Sequence, residues 1–126
     1  MIKNGAKILI VDDSDFSRKV ISSYFDNSPH QVIAEVASAD AAIKILSEKE
    51  CNIAIIDVVM PEIGGIELTE SISRTFTNMA VIVISSLAQE SIIRRSISAG
   101  AQDFIQKPFS ENTLLQSVNK IWENRS

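Results

Sequence analysis

Five short segments spaced along the chain have the length of a β-strand, and three of them are rich in apolar residues. The runs Ile53–Ile56 and Ala80–Ile84 contain no polar residue, which is typical of strands buried on both faces of a sheet. Gln31–Val36 alternates apolar and polar residues imperfectly, so we expect this strand nearer to an edge. The predicted strands are Lys7–Val11, Gln31–Val36, Ile53–Ile56, Ala80–Ile84 and Asp103–Gln106.

Between these runs, apolar residues recur every three or four positions, which is the spacing of an amphipathic helix. Ser14 or Asp15, Ser38 and Ser110 stand where a side chain can cap the first turn of a helix. Gly100 suits a left-handed C-cap. The predicted helices run from Asp15 to about Asn27, from Ser38 to before Asn52, from about Gly65 to Thr75, from near Gln89 to Gly100, and onward from Ser110. The apolar positions of the first helix are Phe16, Val20, Ile21, Tyr24 and Phe25.

Strands and helices alternate, and each connection is long enough for the dozen or so residues of a parallel crossover. The pattern therefore predicts a doubly wound α/β fold, with a five-stranded parallel sheet and five helices. A chain of 126 residues has the size of one folding unit. Because the sequence contains no repeat, low-complexity tract or linker, we expect residues 1–126 to form a single domain.

Polar side chains follow four of the five predicted strands. Asp12 and Asp13 follow the first strand, Asp57 the third, Ser85 the fourth and Lys107 the fifth. The carboxyl ends of parallel strands lie at one edge of a sheet, where open α/β proteins bind their ligands. We therefore expect these side chains to converge on one site.

The charges at this edge indicate a metal ion. Carboxylates repel one another by about 4 kcal/mol per pair at a separation of 4 Å and an effective dielectric constant of 20. Lys107 supplies one positive charge, and a divalent ion would supply the rest. All-oxygen ligands favour Mg²⁺, with Mn²⁺ as the alternative, over Zn²⁺. Carboxylates, a hydroxyl, a lysine and a divalent ion together are suited to phosphoryl transfer onto a carboxylate.

Composition excludes several other classes of protein. Twelve basic and sixteen acidic residues give a net charge of −4, which argues against direct nucleic-acid binding. Cys51 is the one cysteine, so an internal disulfide is excluded and a reducing compartment is favoured. The sequence has no apolar stretch of the roughly 20 residues that a membrane span needs, so we expect a cytoplasmic protein.

Other residues of chemical interest have simpler interpretations. His30 stands alone in a predicted loop, so we expect a solvated side chain without a catalytic or metal-binding role. Cys51 and Met60 are expected to serve packing, and Trp122 to be buried along the last helix. We expect Arg94–Arg95 to lie on a solvated helix face, with a docking patch as the second interpretation.

Five motifs, taken together and in this order, resemble one known family. They are Val11-Asp12-Asp13-Ser14, Asp57-x-x-Met60-Pro61-x-x-Gly64-Gly65, Ile84-Ser85-Ser86, Ala99-Gly100-Ala101 and Lys107-Pro108-Phe109. From about Lys7 to Trp122 the chain resembles the receiver domains of two-component response regulators, and within them the single-domain chemotaxis (CheY-like) type. The resemblance implies a flavodoxin-like, CheY-like fold with strand order 2-1-3-4-5 and no output domain.

The resemblance also implies roles for the residues at the strand ends. Asp57 matches the phosphoacceptor, and Asp13, Asp57 and the backbone carbonyl of Val59 match the direct ligands of Mg²⁺. Asp12 matches the position that assists through water. The protein would then be a signalling protein that catalyses only its own phosphorylation and dephosphorylation.

Two further positions bind the phosphoryl group in that family, and one reports it. Ser85 and Lys107 match the hydroxyl and amine that bind the phosphoryl oxygens, and Phe104 matches the aromatic switch. Many family members carry tyrosine at the switch position, whereas phenylalanine can respond only by packing. Val59 and Leu87 are apolar where the family often has polar groups that tune the attack of water, so we expect slow self-dephosphorylation.

The resemblance implies a histidine kinase as one partner and a protein target as another. A flagellar motor component or a phosphotransfer protein would suit, with chemotaxis or motility as the pathway, and with a monomer whose dimerisation on phosphorylation is left open. A phosphorelay intermediate and an excised receiver domain of a larger regulator remain alternatives. A more distant one is a haloacid-dehalogenase-like phosphatase, because Asp13-Ser14-Asp15 resembles the nucleophile motif of those enzymes.

Overall fold

The computed structural model describes residues 4–125, so the ends of the predicted domain, residues 1–3 and 126, lie outside the described residues. Strands and helices alternate as predicted. The elements are β1 (Lys7–Val11), α1 (Asp15–Ser23), β2 (Gln31–Val36), α2 (Ala39–Glu48), β3 (Ile53–Asp57), α3 (Gly65–Thr75), β4 (Ala80–Ser85), α4 (Glu90–Ser98), β5 (Asp103–Gln106) and α5 (Glu111–Glu123).

The five strands form one parallel sheet in the order β2-β1-β3-β4-β5, which confirms the predicted order. β1, β3 and β4 lie inside the sheet, and from Ile8 onward their residues are buried, as their apolar runs predict. β2 lies at an edge and no residue of it is fully buried, which confirms the interpretation of its mixed pattern.

Each face of the sheet carries a separate core layer. Alternate residues of the strands point to opposite faces, so Ile8 and Ile10 pack in one layer while Leu9 and Val11 pack in the other. The first layer lies under α1 and α5, and the second under α2 and α3. Helix α4 packs against α3 and β5, and Ser96 is its buried residue.

The helix ends follow the predicted capping residues. Ser14, Ser38 and Ser110 are the N-caps of α1, α2 and α5, and each side chain accepts a hydrogen bond from a backbone N–H of the first turn. Gly100 has φ 115° just after α4, where glycine avoids the strain that a Cβ would cause. These ends could be read from local sequence because capping is a local interaction.

The prediction for the first helix was wrong in two respects. Helix α1 ends at Ser23, four residues before the predicted end, because the backbone from Tyr24 onward forms tighter turns whose N–H groups bond three residues back. Phe16 does not join the core, since 80% of its surface is exposed. It lies in the first turn of α1, which begins shortly after the carboxyl end of β1.

His30 is buried, so the expectation of a solvated side chain was wrong. Only 5% of its surface is exposed. Its Nδ1 accepts a hydrogen bond from the backbone N–H of Ala6 at 2.9 Å, and its Nε2 lies 2.7 Å from Oδ1 of Asn119. Because β1, β2 and α5 meet at this point, the loop before β2 carries a buried polar residue that joins all three elements. Its role is structural.

The other simple interpretations hold, except that Trp122 is only partly buried. Met60 is 8% exposed and packs in the second core layer. Trp122 packs at the border of the first layer, and its Nε1 donates to the carbonyl of Asn4 at 2.7 Å. Arg94 and Arg95 are exposed and pair with glutamates of α4 and α3. Among the helices of residues 4–125, none combines the length and apolar composition needed to cross a membrane.

Candidate functional site

Three strand ends bring the central polar side chains together at the carboxyl edge of the sheet. β1 and β3 are neighbours with Val11 opposite Ile56, so Asp12 follows β1 beside Asp57 at the end of β3. Lys107 follows β5, and its long side chain reaches Asp57 across the end of β4. The predicted convergence of these three residues is therefore confirmed.

Strand alternation explains why these side chains share one face. Ile10, Ile55 and Ile105 all pack in the core layer under α1 and α5. Each is followed two positions later by one of the three site residues, and side chains two apart along a strand point the same way. The site is therefore a polar continuation of this core layer beyond the ends of the strands.

Lys107 is the cation at the centre of this group. Its Nζ donates to Oδ2 of Asp12 at 2.8 Å and to Oδ2 of Asp57 at 3.3 Å. It also lies 3.3 Å from Oγ of Ser17 in α1. An ammonium group has three N–H donors. Each of the three therefore has an acceptor.

Asp12 is fully buried and is held on every side. Its Oδ1 accepts from the backbone N–H of Ser14 at 3.0 Å, and its Oδ2 accepts from the hydroxyl of Ser17 at 2.6 Å as well as from Lys107. Arg18 donates to its backbone carbonyl. The first turn of α1 thus fixes the carboxylate of Asp12.

Ser17 is a site residue that the sequence reasoning missed. A serine in an amphipathic helix is ordinary, and nothing in its spacing separates it from Ser22 or Ser23. A signal was nevertheless present, because Ser17 is the third residue after the N-cap Ser14 and α1 begins next to the end of β1. A side chain in the first turn on the sheet side can therefore reach the strand end.

The two buried carboxylates differ in their electrostatics. For Asp57, burial is the largest influence and raises the pKa; Lys107 opposes this effect, the charge of Asp12 adds to it, and the net shift is upward. For Asp12, burial also raises the pKa, but the hydrogen bonds from Lys107, Ser17 and Ser14 outweigh it and the pKa is lowered. Asp57 is therefore the less stabilised anion of the pair.

The pKa of Lys107 is raised. Burial alone would lower it, but the hydrogen bond to Asp12 and the negative charge of Asp57 have the larger combined effect. The amine therefore stays protonated at neutral pH and is available as a permanent donor.

Asp13 completes an acidic group that could hold a metal ion. Asp12, Asp13 and Asp57 each offer a carboxylate oxygen, and the three oxygens lie within 4.8 Å of one another. Asp12 and Asp57 are buried, whereas Asp13 is exposed on the solvent side. All the candidate ligands are carboxylate oxygens, which suits a hard divalent cation such as Mg²⁺.

The loop after β3 turns back so that the start of α3 lies against the backbone of Asp57 and Val58. The N–H of Gly65 donates to the carbonyl of Val58 at 2.8 Å, and a Cβ on residue 65 would lie 2.0 Å from the carbonyl oxygen of Asp57. Only glycine can therefore start α3 so close to the strand end. The main chain of Val59, the predicted carbonyl ligand, lies in this loop, and its side chain is 54% exposed.

Ser85 does not join the other site residues. Val81 and Val83 pack in the layer under α2 and α3, so Ser85, two positions further along β4, points to that face and not to the face of Lys107. Among the hydrogen bonds of residues 4–125, its Oγ accepts from the N–H of Leu87 at 2.9 Å and shares none with Asp57 or Lys107. In this state the convergence predicted for Ser85 is incomplete.

Phe104 lies on the same face as Ser85. It is half-buried and packs against the second core layer. In the sheet, Phe104 pairs with Val83, the residue two positions before Ser85 in β4. Leu87, two residues after Ser85, is 39% exposed in the adjoining loop.

Comparison with known proteins identifies the family. The model of the response regulator receiver domain matches residues 8–119, which is most of the chain. The chain is 32% identical to the chemotaxis protein CheY of Thermotoga maritima, over 93% of this chain and 98% of that protein. It is 33% identical to CheY of Bacillus subtilis, over 90% of this chain and 95% of that protein.

Solved structures agree. The CheX–CheY–BeF₃–Mg complex from Borrelia burgdorferi matches with a TM-score of 0.87 and 30% identity, over 94% of this chain and 90% of that one. The receiver domain of the Francisella response regulator 1452 matches with a TM-score of 0.85 and 25% identity, over 94% of this chain and 98% of that one. Family match, sequence identity and fold agree with the arrangement of the acidic edge, and the chain belongs to the response regulator receiver domain family.

Proposed function

We propose that the protein is a response regulator that accepts a phosphoryl group on Asp57 and signals through a change in protein binding. The observation that carries this proposal is the asymmetry of the two buried carboxylates. Asp12 accepts three hydrogen bonds, whereas Asp57 shares Lys107 at the longer distance of 3.3 Å and has a raised pKa. A less stabilised carboxylate is the better nucleophile.

In the proposed reaction, a carboxylate oxygen of Asp57 attacks the phosphorus of a phosphohistidine or of a small phosphodonor. The new O–P bond forms as the bond from phosphorus to the donor breaks, and the donor leaves with the electron pair. Lys107 stays protonated and donates to the phosphoryl oxygens, which places a fixed positive charge where negative charge accumulates. The products are an aspartyl phosphate and the unphosphorylated donor.

The acidic group fits a divalent metal ion. Asp13, Asp57 and the carbonyl of Val59 would hold Mg²⁺, or Mn²⁺ in its place, with Asp12 assisting through water. When bound, such an ion neutralises charge on the phosphoryl oxygens and orients them. Without a bound metal ion, three carboxylates and one lysine leave an excess of negative charge that would repel an incoming phosphoryl group.

Phosphorylation is proposed to act through Ser85 and Phe104. A phosphoryl group adds roughly −1.5 to −2 charge together with strong acceptor oxygens. Hydrogen bonds from Ser85 and Lys107 to it would contribute about 1.5–3 kcal/mol each, compared with the roughly 5.5 kcal/mol that nearly complete switching between two states requires. The hydroxyl of Ser85 would leave the N–H of Leu87 and turn to the phosphoryl group, and Phe104 would repack on the same face.

The proposed partners follow from this reaction. A histidine kinase supplies the phosphoryl group, and a downstream protein binds the switched surface. The solved CheX–CheY–BeF₃–Mg complex of Borrelia burgdorferi is a case of a related protein bound to a protein partner, and the CheY relatives support a chemotaxis pathway. A role in motility and a cytoplasmic location are part of the same proposal. A role as a phosphorelay intermediate is the second candidate, because the same site would then pass its phosphoryl group onward.

The test is incubation with acetyl phosphate and Mg²⁺, followed by the intact mass of the wild type and of Asp57→Asn. We expect one phosphoryl adduct on the wild type and none on the variant, because an amide cannot form the acyl phosphate. An Asp13→Asn variant is the matched control, since it keeps the nucleophile and should be phosphorylated more slowly. An adduct on both the wild type and Asp57→Asn, or on neither, would contradict the proposal.

A further inference from the structure

Ser17 contacts both members of the ion pair at the centre of the site. Its hydroxyl donates to Oδ2 of Asp12 at 2.6 Å, and its oxygen lies 3.3 Å from Nζ of Lys107. The ion pair itself is 2.8 Å long. Serine, aspartate and lysine thus form a closed triangle in which the hydroxyl acts as donor to one partner and acceptor from the other.

The surroundings of Lys107 make this contact important. On the α1 side, the lysine borders a mainly apolar cavity of about 380 Å³ whose wall includes Phe16, Val20 and Phe109. Ser17 is the polar group of α1 that meets the ammonium on this wall. An ammonium beside an apolar wall needs acceptors for its N–H groups. Ser17 provides one of them.

We propose that Ser17 is a positioning residue for phosphoryl transfer, acting through Lys107; this inference rests on the function proposed above. The three N–H donors of Lys107 point at Asp12, Ser17 and Asp57. Phosphorylation changes only one of these acceptors, because the phosphoryl group is added to Asp57. Ser17 and Asp12 would continue to hold the ammonium group in place, and its third N–H would donate to a phosphoryl oxygen.

Ser17 is itself held in place by its own helix. Its backbone N–H donates to the N-cap hydroxyl of Ser14 at 3.2 Å, and the following residue, Arg18, donates to the carbonyl of Asp12. The side chain of Arg18 is only 14% exposed. The hydroxyl is therefore carried by a helix start that is joined to Asp12, the residue after β1, by hydrogen bonds from the N–H of Ser14 and from Arg18. These links supply the rigidity that a positioning residue requires.

A matched pair of variants isolates the hydroxyl. Ser17→Thr keeps the hydroxyl and Ser17→Val replaces it with a methyl group of similar size, so the two variants differ in hydrogen bonding and not in shape. With acetyl phosphate and Mg²⁺, we expect Ser17→Val to lower the maximal phosphorylation rate about 5-fold while the half-saturating phosphodonor concentration changes little. Ser17→Thr should stay close to the wild-type rate.

A second measurement does not depend on phosphorylation. The ¹H–¹⁵N signal of the Lys107 ammonium can be followed by NMR in the unphosphorylated protein, because hydrogen bonds slow its exchange with water. We expect this signal in the wild type and in Ser17→Thr, and its loss by faster exchange in Ser17→Val. A purely structural role of Ser17 would change stability in both variants and leave the difference between them small.

The outcomes separate this inference from the proposed function. If the wild type gains a phosphoryl group on Asp57 but Ser17→Val matches it in both rate and ammonium signal, the inference about Ser17 is wrong and the proposed function stands. Equal losses in Ser17→Val and Ser17→Thr would also contradict it, because the hydroxyl would then be irrelevant. A wild type without phosphorylation would contradict the proposed function itself, whatever the ammonium signal shows.

Discussion

The sheet buries polar groups at both of its edges, but in opposite ways. At the amino edge, His30 is surrounded by partners that satisfy both ring nitrogens, namely the N–H of Ala6 and the amide of Asn119. At the carboxyl edge, Asp12 and Asp57 are as deeply buried but share one ammonium, that of Lys107. Hydrogen bonds close the first group, whereas the second keeps an excess of negative charge.

This difference indicates what each edge is for. A buried polar group whose partners are complete contributes to stability and has no capacity for a ligand. A buried group with more anions than cations is costly, and it becomes favourable only when something positive arrives. With Asp13 included, three carboxylates face one lysine, and this excess of negative charge would be offset by a bound cation.

Removal of His30, the centre of the hydrogen-bonded group at the amino edge (the closed site), should have the largest effect on the free energy of unfolding. We expect His30→Ala to lower the free energy of unfolding by about 3 kcal/mol, because it leaves a cavity beside Phe25 and deprives buried polar groups of their partners. Urea unfolding measures this loss. Phosphorylation with acetyl phosphate should be unchanged once the variant is folded. If the variant were as stable as the wild type, the stabilising role assigned to His30 at the amino edge would be wrong.

Removal of the ammonium group of Lys107 at the carboxyl edge, the open site, should lower the free energy of unfolding by less, and Mg²⁺ should restore part of that loss. We expect Lys107→Met to lower the free energy of unfolding by about 2 kcal/mol in chelator, because Asp12 and Asp57 lose their shared counter-charge. Saturating Mg²⁺ should recover part of this loss but none of that caused by His30→Ala. Lys44→Met, on an exposed face of α2, is the control and should be nearly neutral. Equal responses to Mg²⁺ at both edges would contradict the distinction.

The two carboxylates of the open site should respond oppositely to substitution. At neutral pH and without metal, we expect Asp57→Asn to stabilise the protein by about 1 kcal/mol and Asp12→Asn to destabilise it, because burial dominates at Asp57 and hydrogen bonds dominate at Asp12. Urea unfolding of both variants tests this contrast. Destabilisation by both would mean that Asp57 is as well compensated as Asp12.

The stability contributions of Asp57 and Asp12 should also change in opposite directions with pH. The pKa of folded Asp57 lies above its ordinary value of 3.8, so this residue favours folding fully below that value and loses its contribution as pH rises through the raised pKa. The advantage of Asp57→Asn should therefore shrink as pH falls towards 3.8. Asp12 has a lowered pKa, so its contribution is present above 3.8 and is lost as pH falls. An advantage of Asp57→Asn that persists at acid pH would contradict the assignment.

The smallest effect should appear in the lifetime of the signal. Val59 and Leu87 border the site with exposed apolar side chains that cannot orient a water molecule, so wild-type phosphoprotein should decay slowly. We expect Val59→Asn to shorten the lifetime of the aspartyl phosphate about 5-fold, equivalent to about 1 kcal/mol. Ile63→Asn, at another exposed apolar residue of the same loop, is the matched control. Decay of the wild type within seconds, or equal effects of both variants, would contradict this role.

The site was largely predictable wherever parallel topology alone decides proximity. Asp12, Asp57 and Lys107 lie far apart in the chain, yet each stands at the end of a predicted strand, and parallel strands end at one edge. Ser85 also lies at this edge, but it does not contact the other site residues, because its position in β4 points its side chain to the other face of the sheet. The rule identifies the edge of the sheet, and strand alternation then decides the face.

Local sequence was least informative where a residue acts through distant partners. His30 was expected in solvent because it stands alone in a predicted loop. Its burial depends on Ala6 and on Asn119 of α5, which is 89 residues away in the chain. Ser17 looked like any helix serine, and its contacts with Asp12 and Lys107 exist only because α1 starts beside β1. Neither position carries a periodic signal, since one long-range contact leaves no pattern along the chain.

The order of elements, the helix caps and the acidic edge thus followed from apolar periodicity, capping residues and strand-end chemistry, all of which act over a few neighbouring positions. The different electrostatic states of Asp12 and Asp57 did not. Both are aspartates at the end of a buried strand, and only the folded arrangement gives one of them Ser14 and Ser17 as donors and leaves the other dependent on a shared lysine. Burial and long-range hydrogen bonds set the free energy of a charge, and these belong to the tertiary structure.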